Sequence, residues 1–300
     1  LRVACPSFLP LCEVKEPAKR NDPGSPHLRS MSSSSSFVKV VLVTGGSSGI
    51  GQAICVRLAA QGHRVFGTTR KAMEQPNSYR LVDMDITDEA SVQRGVAEVL
   101  RVAGRIDVVV NNAGLGIQGP AEDITPELAL TLLDTNVLGA HRVCRAVLPG
   151  MRERKGGLII NISSLAANFG LPFRSFYSAS KAALERYTET LSMELEPFGI
   201  HVVSLQPGEY NTKIATSRLK PGTISAVYEK AYARTMEVLG SSLHYSRDPD
   251  EVAVMVAEII ATAKPKSVYR AAHGMQLFSI LAKKLLPGRR FEQMVMKHYK

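Results

Sequence analysis

The chain has 300 residues, 45% hydrophobic and 21% charged, enough to bury a sizeable core and too apolar for wholesale disorder. No run approaches the roughly 18 uninterrupted apolar residues of a spanning helix. The net charge of +10 raises nucleic acid or an anionic membrane as a partner, but residues 31–262 balance to zero while residues 1–30 carry +2 and residues 263–300 carry +8. A neutral body argues that nucleic acid is no partner.

Residues 1–36 show no apolar periodicity, several prolines and a serine run at Ser32–Ser36, and read as a leader outside the fold. A transit peptide is the alternative, weakened by Glu13, Glu16 and Asp22. From Val38 the chain alternates. Strands are expected at Val38–Val43, Val65–Thr68, Arg80–Met84, Ile106–Val110, Leu158–Ile162, Ile200–Leu205 and Ser267–Tyr269. Helices follow the first strand and recur near 89–102, 126–154, 178–197 and 250–262. Short strands apolar on both faces, separated by amphipathic helices, predict one doubly wound α/β domain of the Rossmann type, with a parallel sheet covered on both sides. That domain is expected over 37–270, with a long insertion at 209–245 and a basic amphipathic tail at 271–300. Cys5, Cys12, Cys55 and Cys144 form no CxxC pair and read as reduced thiols of an intracellular, cytoplasmic protein.

The turn after the first strand reads Thr44-Gly45-Gly46-Ser47-Ser48-Gly49-Ile50-Gly51. Its glycines let the backbone approach a pyrophosphate, and the helix behind it offers free N–H groups and a positive dipole end. The spacing Gly-x-x-x-Gly-x-Gly is one residue longer than the common dinucleotide fingerprint, so the loop alone is a weak sign. Later strand ends add to it. Asp85 closes the third strand, where a carboxylate would accept from an adenine amino group. Asn111-Asn112-Ala113-Gly114 follows the fourth strand, and Asn136 lies in the next helix. Ser164 follows the fifth strand, with Tyr177 and Lys181 thirteen and seventeen residues beyond it; Pro207-Gly208 ends the sixth, with Thr212 four residues on.

In this order these motifs resemble the short-chain dehydrogenase/reductases, over about residues 37–270. The resemblance implies that Tyr177 exchanges a proton with a carbonyl or alcohol oxygen. Lys181 would lower the tyrosine pKa and bond the nicotinamide ribose, Ser164 would hold the substrate oxygen, and Asn136 would hold a relay water. It also implies a dimer or tetramer through the helices at 126–154 and 178–197. Ser163 competes with Ser164, but the thirteen-residue spacing to tyrosine favours Ser164.

Cofactor choice turns on Thr68-Thr69-Arg70-Lys71 after the second strand. NAD readers place a carboxylate there; Arg70 would instead clasp a 2′-phosphate, which points to NADP(H), the alternative being that Arg70 stacks on adenine. Around Leu115 and in Gly170-Leu171-Pro172-Phe173 the text resembles the subgroup of 17β-hydroxysteroid dehydrogenase type 1 and the retinol dehydrogenases. Leu115, Ile117, Leu171 and Phe173 would then form an apolar wall for a lipophilic substrate such as a steroid or retinoid. Tyr228, Tyr232, Met236 and Leu239 form an apolar stripe on the insertion, read equally as lid packing or substrate contact. Glu209 and Tyr210 depart from the small apolar residues often found after Pro-Gly.

The leading expectation is an NADP(H)-dependent enzyme interconverting a carbonyl and an alcohol. A β-ketoacyl thioester reductase and a non-catalytic NADP(H)-binding scaffold are the alternatives. In the tail, apolar residues from Leu277 to Leu286 mix with Lys283, Lys284, Arg289 and Arg290. Residues 275–300 therefore read either as a face that packs on the lid or a sister subunit, or as a helix at a membrane surface.

Overall fold

Val40–Val43 (β1) is apolar at every position because it lies inside a parallel sheet with helices on both sides. The computed structural model describes residues 38–71, 73–210, 218–243, 247–272 and 274–299. The remaining strands are Arg64–Thr69 (β2), Arg80–Asp83 (β3), Val108–Asn111 (β4), Gly157–Ile162 (β5), Ile200–Pro207 (β6) and Val268–Ala271 (β7). They pair in the order β3-β2-β1-β4-β5-β6-β7, every neighbour parallel. The order reverses between β1 and β4, the switch point at which such sheets open a crevice beyond their carboxyl ends.

Two apolar layers hold the helices to this sheet. On one face Ile54, Cys55 and Leu58 of Gly49–Ala60 (α1) join Val252, Val256 and Ile259 of a helix at Asp250–Ala261. On the other, Glu89–Ala103 (α2), Gly139–Glu153 (α4) and Ser175–Leu195 (α5) contribute Val92, Val96, Val143, Val147, Met151 and Leu191. α2 begins cleanly because the Asp88 carboxylate accepts from the Ala90 amide.

The helix expected over 126–154 is interrupted. Pro126–Leu133 (α3) and α4 are joined by a π-turn at Asp134–Leu138 that contains Asn136. The insertion carries Ala226–Leu243 (α6), followed by Asp250–Ala261 (α7). The tail forms Gly274–Leu285 (α8) and Gly288–His298 (α9), which fold back on each other at Pro287 and lie on the same unit as the sheet. Phe291 is 2% exposed, edge-on to Phe169 with ring centres 5.2 Å apart, and Lys283 Nζ sits over its ring, 5.1 Å from the centroid. Among the described residues no helix is long and apolar enough to cross a membrane. The leader at 1–36, with Cys5 and Cys12, lies outside the described residues.

Phe291 is the anchor of this tail. Phe291→Ala is expected to weaken its docking by about 3 kcal/mol, a change on the order of a hundredfold in opening of α9. Hydrogen exchange should then rise in α8 and α9 while the sheet amides keep their protection.

Candidate active site

The glycine loop is shaped by what touches it. Gly45 has φ +66°, a conformation that side chains disfavour. A Cβ on Gly51 would lie 2.2 Å from the Gly45 carbonyl oxygen and 2.5 Å from Asn112 Nδ2, so the first turn of α1 can approach β4 only as bare backbone. Thr44 locks the two loops together: its hydroxyl accepts from the Asn112 and Ala113 amides at 2.9 and 3.0 Å, and Asn112 Nδ2 donates to the Thr44 carbonyl at 2.9 Å. Ser48 caps α1 through its backbone and accepts no side-chain hydrogen bond from the first turn, which leaves those amides for an anion.

A cleft of about 240 Å³ runs along this loop. It is lined by Gly45, Ser47, Ser48, Gly49 and Ile50, by Arg70, by Asp85, and by Asn112, Ala113 and Gly114. Arg70 stands at the end of β2 after Thr68 and Thr69, a stretch with no carboxylate of its own, and Asp85 lines the same cleft. Asp85 Oδ1 accepts from both the amide and the hydroxyl of Thr87, at 2.9 and 2.7 Å. Burial alone would raise its pKa; the Thr87 bonds, with Arg70 and Arg142 nearby, hold it below the usual carboxylate range. A bare-backbone cradle, free helix amides and a cation where a ribose would end suit a dinucleotide.

A second cavity, about 520 Å³, opens beside the first and shares Ile50, Asn112, Gly114 and Leu115 with it. Ser164, Tyr177 and Lys181 all line it, with Pro207 and Gly208 from the end of β6. Tyr177 and Lys181 are four apart on α5 and share a face, while Ser164 leads off β5 and accepts from the Ala166 amide at 3.2 Å. Lys181 is 6% exposed and donates to the Ile162 carbonyl at 2.9 Å. Burial drives its pKa down to about 8, against the opposing pull of the Glu185 carboxylate one helical turn on. Ser163 also lines the cavity, and its buried hydroxyl has no hydrogen-bond partner.

Asn136 sits next to this lysine but is already committed. Its Oδ1 accepts from the Leu115 amide at 2.8 Å, and its Nδ2 donates to the Leu115 carbonyl and Ser180 Oγ, both at 3.0 Å. The side chain therefore ties the Leu115 loop to α5, and the second lone pair of Oδ1 is what it keeps for a further donor such as a water.

The apolar wall needs two corrections. Leu115 and Leu171 line the cavity, but Phe173 does not: it takes φ +56° and turns edge-on to Tyr232, ring centres 5.5 Å apart. Ile117 does not line it either, being buried in a small cluster behind Leu115 and Tyr177. Of the stripe on the insertion, Leu239 reaches the cavity, whereas Tyr228 donates to Glu122 at 2.7 Å. Thr212 lies outside the described residues.

The structure adds residues that the sequence reading had not assembled. Met275, Gln276, Phe278, Met294 and Tyr299, from α8, α9 and the residue after it, line the same cavity as Tyr177. Arg174 and Arg218 enter it as well. Arg174 is 6% exposed, 3.4 Å from Glu209 and 3.2 Å from the Tyr299 hydroxyl, and its Nε has no partner. Arg218 donates to Gln118 Oε1 at 3.3 Å and has no carboxylate partner among the described residues; burial and the nearby Arg174 lower its pKa. Glu209 thus faces the cavity, while Tyr210 turns into the core and donates to the Ala271 carbonyl at 3.0 Å. The Pro-Gly-Glu-Tyr departure from small residues has a use for each side chain.

A model of the short chain dehydrogenase family matches residues 39–221. The 3-ketodihydrosphingosine reductase of Bacteroides thetaiotaomicron is 35% identical over 255 residues, 83% of this chain and 93% of the relative. Human 17-beta-hydroxysteroid dehydrogenase type 1 is 34% identical over 254 residues, 77% of this chain and 76% of its own. Among solved structures, a short-chain dehydrogenase from Streptomyces avermitilis shares 32% identity with a TM-score of 0.75, covering 88% of this chain and 96% of that one. The chain belongs to the short-chain dehydrogenase family, oxidoreductases that work with a nicotinamide dinucleotide.

Gly51→Ala is expected to be worse than a helix-favouring change should be, because its methyl group meets the Gly45 carbonyl and Asn112. We expect a loss of about 1–3 kcal/mol of stability in denaturant titration. Dinucleotide affinity, followed by the quenching of tyrosine fluorescence, should drop by about tenfold or more.

Proposed function

We propose that this protein is an NADP(H)-dependent oxidoreductase that interconverts a carbonyl and an alcohol on a lipophilic substrate with a polar head, with Tyr177 as acid and base. The observation that carries the reading is that Ser164, Tyr177 and Lys181 converge on one largely apolar cavity that joins the dinucleotide cleft at Ile50, Asn112, Gly114 and Leu115.

The loop at Gly45–Gly51, Asp85 and Asn112-Ala113-Gly114 would hold the dinucleotide, with Lys181 at its ribose and Pro207-Gly208 beside its nicotinamide. Bound there, it supplies or accepts the hydride. Tyr177 gives its phenolic proton to the carbonyl oxygen in reduction and takes a proton from the alcohol in oxidation. Ser164 donates a hydrogen bond to the same oxygen and steadies its developing negative charge. The Lys181 ammonium lies on the same face of α5 as Tyr177, and the Ile162 carbonyl and Asn136-held Leu115 loop keep that ammonium in place.

The NADP(H) preference rests on Arg70 following β2 where an NAD reader would carry a carboxylate. Arg70→Glu should reverse it: the ratio of kcat/KM with NADPH to that with NADH should shift by about a hundredfold towards NADH, through repulsion of the 2′-phosphate. An unchanged ratio would leave Arg70 stacking on adenine.

The substrate class rests on the cavity, whose lining includes Leu165, Phe169, Leu171, Leu239 and Phe278 but also holds Arg174, Glu209 and Arg218. Charged groups inside an apolar cavity favour an amphiphile over a wholly apolar steroid. The relative named for 3-ketodihydrosphingosine supports this, since that compound is a long-chain ketone with an amine and a hydroxyl beside the carbonyl. NADPH oxidation should be fastest with long-chain ketones that bear a polar head, slower with steroid ketones and β-ketoacyl thioesters. Tyr177→Phe should cut kcat by a factor on the order of 10²–10⁴ while NADPH still binds. Tight NADPH binding with no turnover of any carbonyl would favour the scaffold.

Lys181 also sets a pH limit. Its folded pKa lies below the unfolded value, so the cost of burying the ammonium is present below about pH 8 and fades as pH rises from there towards the ordinary lysine value of 10.5. Activity runs the opposite way: the ammonium is lost through about pH 8, and kcat/KM for reduction should fall on that limb. Because Glu185 raises the Lys181 pKa, Glu185→Gln should move the limb to lower pH.

A further inference from the structure

The tail leaves one face of α8 uncovered. At 100° per residue, Leu277, Leu281, Leu285 and Phe278 fall within an arc of about 100°. Phe278, Leu281 and Leu285 are 53%, 52% and 72% exposed, and Met275, one turn before Phe278, is 77% exposed. Ile280 and Ala282 of the same helix are buried, so α8 is seated on the protein by one side and presents the other to its surroundings. Such an exposed apolar arc on a helix of this length needs a reason.

Two further observations say what covers it. The first is charge. Lys283, Lys284, Arg289 and Arg290 are all exposed around the turn between α8 and α9, and Glu292 is the sole acidic residue of 263–300. A hydrophobic arc flanked by cations matches the interface of an anionic bilayer, where apolar side chains enter the acyl boundary and ammonium and guanidinium groups meet phosphates. A second copy of the chain would bring the same cations against themselves. The second observation is continuity: Phe278 of the exposed arc, and exposed Met275 one turn before it, also line the cavity that holds Tyr177. The exposed apolar surface is therefore the outer edge of the cavity mouth.

We infer that α8 and the turn into α9 dock the protein peripherally on an anionic lipid surface, so that the cavity mouth faces the membrane and a lipophilic substrate reaches Tyr177 without crossing water. The docking stands on the exposed arc and its cations alone; the delivery of substrate rests on the proposed carbonyl–alcohol activity. No helix among the described residues spans a bilayer, so the contact is interfacial.

The test uses the full chain and the double variant Leu281→Glu/Leu285→Glu, whose side chains are exposed and do not line the cavity. Wild type should co-sediment with vesicles of phosphatidylcholine containing about 30% phosphatidylserine, less with pure phosphatidylcholine, and less again in about 0.5 M salt. The double variant should partition about tenfold more weakly onto the anionic vesicles. With a short water-soluble ketone the two proteins should have equal kcat/KM; with a long-chain ketone embedded in anionic vesicles the variant should be about tenfold slower. Equal pelleting of wild type and variant, or pelleting by neither, would overturn the inference, as would loss of a wild-type dimer in the variant by light scattering, which would make the arc an interface between copies. Failure of the carbonyl activity would show separately, as no turnover of the soluble ketone by wild type that still binds vesicles.

Discussion

The buried ammonium of Lys181 is the constraint around which the site is built. Removing a cation from water is costly unless hydrogen bonds and nearby charge compensate. Here the Ile162 carbonyl at the end of β5 accepts from it, Glu185 lies one turn further along α5, and the Leu115 loop passes overhead. Each compensation fixes a piece of the site. The hydrogen bond to Ile162 sets α5 against the strand that delivers Ser164, and the helical spacing then delivers Tyr177 to the same cavity.

A second layer of buried polar contacts keeps this arrangement from drifting. Asn111 Nδ2 donates to Asn161 Oδ1, Asn161 Nδ2 donates to Thr188, and Ser204 donates to Glu185, so β4, β5, β6 and α5 are tied by side chains as well as by the sheet. Thr44 does the same for the glycine loop and the Asn112 loop. In an interior of low dielectric such buried hydrogen bonds hold one register strongly. Among the described residues, two of the unpartnered buried groups, the Ser163 hydroxyl and Arg174 Nε, belong to residues that line the larger cavity, while Asn111 Oδ1 and the Ser178 hydroxyl lie away from it.

The two chain regions with least obvious meaning converge on substrate handling. The insertion supplies Arg218, which packs against the bare backbone of Gly116 and donates to the Gln118 amide oxygen. The tail supplies Gln276 against Gly208, Tyr299 against Arg174, and an apolar rim at Met275 and Phe278. The nucleotide side is built from strand ends and tight turns, and the substrate side from late segments laid over them. That division lets the first be strict in geometry while the second varies in chemistry.

Much of this was legible in residue order. Doubly apolar strands alternating with amphipathic helices determine a parallel sheet, because only burial on both faces suits such strands. The glycine loop, Ser164, Tyr177 and Lys181 are local or short-range signals, fixed by backbone conformation and helical spacing. Where the sequence reading failed, the deciding contacts are long-range. Phe173 looked like part of the wall by its nearness to Leu171, yet a positive φ sends it towards Tyr232, nearly sixty residues away. That Asn136 also ties the Leu115 loop to α5, through Leu115 and Ser180, was not visible from its position in the sequence. The +8 of the last 38 residues was visible from composition, but that its helices line the catalytic cavity with one face and leave another bare was decided only when the tail packed on the sheet, since no local rule says which side of an amphipathic helix finds a partner.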